Sequence, residues 1–307
     1  MTNNATDSVD DPGIDPTYHL SFDNVIPLEG GHKYWPELYV GMPIGYRTLT
    51  MSLAVPKGEG PHPLVVFIHG GGWLSGHHNV QNPVLDRMMI TQSLLDAGYA
   101  VARSSYRFTS EGEFPMQLHD SKAAVRYLRH HADRFGLDEK RFAAMGESAG
   151  GHLALLLGLV QGDEELEGDV GIVGPSSEVC CVVNWYGVVE FATLSTQNMP
   201  DSERDHDAEN SPVSRLIGGE VQENLDAARR ASPMTYVTES SVPILSQHGT
   251  QDMIVPYGQA EALHEKMTTL GAHHELHPIE GGDHCFWHGD EMQVMPRVIE
   301  FLNVHCK

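Results

Sequence analysis

From Gly45 onward, short runs rich in Val, Ile and Leu alternate with longer stretches of helical spacing. That alternation limits the fold more than any other feature of the chain. "YRTLTMSLAVP" alternates as a strand does, and "PLVVFIHGGG" is a buried apolar run that ends in glycines. "YAVARSSYR", "RFAAMG", "EVCCVVNWYG", "VPILSQHGTQD" and "HHELHPIEGGDH" read as further strands. Between them, "QLHDSKAAVRYLRHHADRFG" places Leu118, Ala124, Val125, Leu128 and Ala132 at helical spacing and stops at Gly136. "SAGGHLALLLGLV", "GQAEALHEKMTTLG" and "DEMQVMPRVIEFLNVH" read as helices too. Strands buried on both faces and joined by helices form a mostly parallel central sheet with helices on both sides, the α/β class. Ligands of such sheets bind beyond the carboxyl ends of the strands, so chemistry is sought in the loops that follow them.

A length of 307 residues suits one large α/β domain, here residues 21–307. Residues 1–20 carry Asp7, Asp10, Asp11 and Asp15 without Lys or Arg, and read as a disordered or loosely packed acidic arm. That start has neither the basic nor the apolar segment of a secretory signal, and no run of 18 apolar residues occurs. The 42 acids against 19 Lys and Arg give a net charge of −23, which argues against nucleic acid and anionic membrane surfaces as partners. Cys180 and Cys181 are neighbours in an apolar run, and Cys285 and Cys306 stand alone. Neighbouring strand residues face opposite ways, so the expectation is buried thiols without a disulfide framework, in a cytoplasmic protein. One segment breaks the rhythm, at residues 187–232. Residues 161–209 hold twelve acids and one base, Arg204. Solvated loops explain this composition. A small lid over the site also explains it, since long insertions in compact domains are often functional.

"AAMGESAGGHLALLLG" sets Ser148 between a strand expected to end near Met145 and a helix expected to start near Ala149. A serine on such a turn is lifted above the sheet, and Gly146, Gly150 and Gly151 supply the small neighbours a crowded turn needs. A glycine-rich junction without chemistry would read the same. A serine nucleophile needs a base, and the base needs an orienting acid. Asp252 follows one strand in "HGTQDMIVP", and His284 follows the next in "EGGDHCF". Asp283 is too close to His284 in sequence to reach its ring, and His248 points back into its strand end as a structural residue. In "FIHGGGWLSG", glycines after a buried strand leave the Gly71 and Gly72 amides free to turn towards Ser148. With the amide of Ala149 they form a candidate oxyanion hole. The loop lacks the Gly-Lys-Ser/Thr ending of a phosphate cradle. Trp73, Trp185 and Tyr186 end strands near these loops and are candidate pocket residues, with the core as the alternative. His273 and His277 share a strand face, but no third ligand is evident, so no metal is expected.

These residues together resemble the α/β-hydrolase superfamily, in the His-Gly-Gly-Gly branch of esterases and lipases related to hormone-sensitive lipase. The likeness runs from about Tyr46 to the C-terminus. Within that branch, "DSKAAVRYLRHHADRFGLDEKRFAAMGESAGGHLALLLG", "ARRASPMTYVTESSVPILSQHGTQDMIVPYGQAEALHEKM" and "EGGDH" are similar to bacterial feruloyl and acetyl-xylan esterase-like carboxylesterases. The resemblance implies a cofactor-free serine esterase acting on small ester substrates through Ser148, Asp252 and His284. Short acyl chains are expected, because no extended apolar lid is visible. An amide or formamide hydrolase on the same triad is the alternative, and a non-catalytic ligand receptor stands behind it. A homodimer through an edge strand or the N-terminal arm is compatible with the sequence. The chain departs from the family pattern in two places. Glu147 replaces the usual Asp before the serine and is expected to be buried and structural. In place of a long helical cap, the N-terminal region offers "GGHKYWPELY" as its aromatic patch.

Overall fold

The computed structural model describes residues 22–307. The acidic arm expected at residues 1–20 lies outside them. A nine-stranded sheet runs through the molecule. Its strands are β1 (Ile26–Pro27), β2 (Lys33–Gly41), β3 (Leu49–Val55), β4 (His62–Ile68), β5 (Ala100–Ser104), β6 (Leu137–Glu147), β7 (Val182–Trp185), β8 (Ile244–Gly249) and β9 (His274–Ile279). Helices α1 (Pro83–Arg87) and α2 (Ile90–Asp96) follow β4, and α3 (Met116–His130) and α4 (Ala132–Phe135) follow β5. Next come α5 (Ala149–Leu159) and α6 (Glu164–Glu167) after β6, then α7 (Pro212–Ile217) and α8 (Leu225–Ala231) after β7. Last are α9 (Gly258–Thr269) and α10 (Val294–His305).

The sheet order is β1-β2-β3-β5-β4-β6-β7-β8-β9. From β5 to β9 all neighbours are parallel, as the strand–helix alternation implies. Successive residues of one strand enter different cores. Leu64, Val66 and Ile68 of β4 pack with α3, α5 and α9 on one face, whereas Val65 and Phe67 pack with α1, α2 and α10 on the other. Strands buried on both sides lose the polar–apolar alternation, which is why they appear in sequence as continuous apolar runs.

The N-terminal edge differs from expectation. The segment read as an aromatic patch forms β2, antiparallel to β1 and β3. Pro36 lies inside it, and proline argues against a strand except at an edge or a bulge. Here the register shifts between Trp35 and Leu38, which accommodates the ring. Trp35 is buried edge-on against Phe135 and donates its indole N–H to the Phe22 carbonyl. Strand β6 also runs past Met145 to Glu147.

The cysteines need a correction. Cys180 and Cys181 precede the regular part of β7, and their sulfurs lie 4.0 Å apart instead of facing opposite ways. All four thiols are free, and Cys180 and Cys285 are only half-buried.

Residues 187–232 contain short helical turns, α7 and α8, and they contact α9 and the loop after β8. Gln259 of α9 accepts from the Val189 and Glu190 amides, and the Ser202 hydroxyl donates to the Met253 carbonyl. Among the described residues, no helix is long and apolar enough to cross a membrane.

Candidate active site

Ser148 occupies the turn between β6 and α5 with φ 53° and ψ −120°, a left-handed φ that a residue with a side chain adopts only under constraint. The constraint is backbone crowding. A Cβ on Gly146 would stand 2.2 Å from the Gly150 carbonyl oxygen, and one on Gly150 would stand 2.0 Å from the Ile68 carbonyl oxygen. The Ser148 amide donates to the Trp185 carbonyl at 2.9 Å, which ties the turn to β7. Ser148 precedes α5 yet makes no capping hydrogen bond with its side chain. Its Oγ lies instead 3.0 Å from His284 Nε2.

His284 Nδ1 in turn lies 2.8 Å from Asp252 Oδ2. Asp252 is buried, and its Oδ1 accepts from the Ile254 and Val255 amides, both at 2.8 Å. Burial alone would raise the Asp252 carboxyl. The charge of His284, with hydrogen bonds from His248 and His284, holds it well below the usual carboxylate range. Burial alone would lower His284, and the Asp252 carboxylate outweighs it, so the imidazole is raised above 6.5. Asp283 takes the His284 backbone amide at 2.6 Å and the Met253 amide at 2.9 Å, so it braces the two loops and leaves the ring to Asp252. The structure thus brings Ser148, Asp252 and His284 into one hydrogen-bonded relay.

His248 has a second connection that its place in sequence hid. It is buried, and its Nε2 lies 2.8 Å from the Val255 carbonyl and 3.2 Å from Asp252 Oδ2. The readable signal was its spacing of four residues from Asp252 across a tight loop.

The Gly71 and Gly72 amides meet no hydrogen-bond acceptor among the described residues, and the Ala149 amide is free at the first turn of α5. Gly71 has φ 110°, and a Cβ there would stand 2.2 Å from the Ser75 carbonyl oxygen. Gly71→Ala is therefore expected to displace the loop and cut kcat by about 10²–10³, the usual cost of one oxyanion donor. Steady-state hydrolysis of p-nitrophenyl acetate, with a thermal melt alongside, checks this. Unchanged kcat in a folded variant removes Gly71 from the oxyanion hole.

Glu147 is half-buried as a residue, but its carboxylate is turned in behind the glycine loop as expected, where its Oε1 accepts from the Gly70 amide at 2.7 Å. It holds the glycine loop against β6 from beside the turn. Desolvation raises its carboxyl, against the opposing effects of the Gly70 amide, His284 and Arg103.

The three aromatic candidates also need correction as pocket residues, because all are buried: Trp73 at 2% exposure, Trp185 and Tyr186 at 0%. Trp73 sits under the glycine loop, edge-on to His152 and Phe191. Trp185 points into the other core and donates to Gln247 Oε1. Tyr186 packs edge-on against the His284 ring at 4.7 Å. Strand ends in a parallel sheet sit under the loops that succeed them, so large side chains there support the site from below. A cavity of about 610 Å³ opens elsewhere, between the β2–β3 hairpin tip and the start of α3, lined by Tyr46, Arg107, Glu113, Met116 and Asp169 among others. No member of the relay lines it.

The expectation that His273 lacks further ligands is overturned. Glu275 and His305 stand beside it, with donor atoms within 4.8 Å of one another. Glu275 is also paired with Arg297, which competes for the carboxylate. His277 lies apart, 3.1 Å from Gln247 Nε2.

The BD-FAE family description matches residues 51–267. The esterase LipC of Mycobacterium tuberculosis is 32% identical over 212 residues, covering 68% of this chain and 49% of that protein. A solved structure described as a truncated carbohydrate esterase from gut microbiota superposes with a TM-score of 0.78 at 25% identity, covering 89% of this chain and 96% of that one. A bifunctional GH43-CE protein of Bacteroides eggerthii superposes with a TM-score of 0.75 at 28% identity, covering 89% of this chain and 38% of that one. The chain spans about half the length of the curated relatives it matches.

Proposed function

We propose, from the premise that the chain belongs to the BD-FAE family and has the α/β-hydrolase fold, that it is a serine carboxylesterase acting on small-molecule esters. The observation that carries this reading is the relay from Asp252 through His284 to Ser148. Ser148 Oγ attacks the ester carbonyl as His284 Nε2 takes its proton. The Gly71, Gly72 and Ala149 amides stabilise the oxyanion. His284 then gives its proton to the departing alkoxide, leaving an acyl group on Ser148. Water, deprotonated by the same imidazole, releases the acid and restores the serine. Asp252 fixes the Nδ1–H tautomer and balances the imidazolium charge.

Residues 187–232 act as the lid in this reading. Their support is contact with the site: a Cβ on Gly72 would stand 3.4 Å from Pro212, and Ser202 holds the Asp252 loop. Short-chain and aryl acids, acetyl and feruloyl among them, are the proposed acyl groups. The four free thiols suit a reducing compartment such as the cytoplasm. Hydrolysis of p-nitrophenyl acetate to octanoate, methyl ferulate and acetylated xylan, each ester set against its isosteric amide where one exists, tests the assignment. The expected result is turnover of esters well above amides, with a maximum at short acyl chains. Faster turnover of amides assigns the triad to amide hydrolysis instead.

A further inference from the structure

Far from the relay, the sheet brings three cysteines together from distant parts of the sequence. Cys180 and Cys181 lead into β7, and Cys306 ends α10. Their sulfurs all lie within 4.8 Å of one another, and the Cys180–Cys181 pair is 4.0 Å apart. Cys181 and Cys306 are buried, and Cys180 is open on one side. We propose that these three thiols form a binding site for one thiophilic metal cation, with Cys180 as the point of entry.

The geometry suits this. A metal–sulfur bond of about 2.3 Å sets three sulfurs around one ion at roughly 3.8–4.0 Å from each other. The Cys180–Cys181 pair already has that spacing, and Cys306 needs only a small shift of the last turn of α10. Thiolate donors select soft cations such as Cu(I), Zn²⁺ and Cd²⁺ over Mg²⁺ and Ca²⁺. Binding of a divalent ion converts three thiols and the aquo-ion into a tris-thiolate anion and three released protons. The donor set leaves a fourth position for water on the Cys180 side. The Arg141 guanidinium acts on Cys306 and offsets part of the negative charge so formed. The Cys180 thiol donates to the Cys181 sulfur, so the two sulfurs already face one another. The neighbouring His273–Glu275–His305 group is a weaker candidate, because Arg297 engages Glu275.

The site stands at the amino end of β7, whereas Ser148 hydrogen-bonds the Trp185 carbonyl at the carboxyl end. Occupancy therefore leaves ester turnover unchanged and fastens the last turn of α10 to the sheet. The inference does not depend on the proposed activity.

The test is titration of the reduced 307-residue chain with Cd²⁺ alone, followed by ultraviolet thiolate-to-metal charge-transfer absorption, proton release and thermal melting. The expected result is a band that saturates at one Cd²⁺ per chain, with proton release and a higher melting temperature. Cys306→Ser loses the saturating band and the melting shift, whereas Cys285→Ser and His273→Ala keep both. Cys180→Ser, at the half-buried position, gives the same reading as Cys306→Ser should the latter fail to fold. Binding without the band, or a one-equivalent band that survives loss of Cys180 or Cys306, overturns the proposal. So does a band lost with Cys285 or His273.

Discussion

Ser148→Ala is expected to reduce kcat for any ester the protein turns over by on the order of 10⁵-fold or more, because nothing else in the relay can form the acyl intermediate. The same change is expected to leave stability nearly untouched. Ser148 provides no side-chain cap to α5, so its removal exposes no helix amide. The strain at φ 53° resides in the backbone and is shared by serine and alanine. What is lost is one hydrogen bond, from Oγ to His284, worth about 1 kcal/mol. Steady-state kinetics and thermal melting on the same preparation separate the two quantities. Labelling of the parent chain by a fluorophosphonate, and its absence in Ser148→Ala, locates the nucleophile chemically. A variant that keeps a hundredth of the parent rate assigns the chemistry to another group. A variant that loses activity only by unfolding shows the turn to be a structural junction.

The relay was legible because a parallel sheet orders its chemistry. Every βα loop emerges at the same edge, so a serine after β6, an acid after β8 and a histidine after β9 had to converge there. Asp283 illustrates how far that logic reaches. Adjacency to His284 argued against its contacting the ring, and its carboxylate holds backbone amides instead. Tertiary contacts were harder to read. Trp185 and Tyr186 end a strand near the site, but sequence position does not reveal that the turn folds over them and leaves both buried. Strand β2 was hidden by Pro36, since the bulge that tolerates it forms only against β3. Helix α1 carried a readable start, Asn82 as N-cap before Pro83, and Asn82 Oδ1 accepts from the Val84 and Leu85 amides. Five residues are too few for a periodicity to announce it. The cysteine cluster could not be foreseen, because Cys306 reaches Cys180 only once α10 has packed on the sheet.

Asp252→Asn offers the second large effect, and its pH dependence distinguishes an orienting acid from a merely structural one. The amide oxygen of Asn can still accept from the Ile254 and Val255 amides, so the loop is expected to hold. The Nδ2 group then faces His284 Nδ1 and stabilises the tautomer that carries its proton on Nε2. Such an imidazole cannot accept the proton of Ser148, and kcat is expected to fall about 10⁴-fold. The sign of the pH effect follows from the state of His284. As a base it must be neutral, so activity rises as pH passes upward through its pKa. Asp252 holds that pKa above 6.5, and the acid limb of kcat/KM in the parent chain is expected above that value. Removing the carboxylate leaves burial, which disfavours the charged imidazole, so the limb moves to lower pH while the plateau collapses. A rate lowered only tenfold, or a limb that stays in place, means that Asp252 serves the loop and not the imidazole. A lowered limb on a collapsed plateau identifies it as the group that sets both the tautomer and the charge of His284.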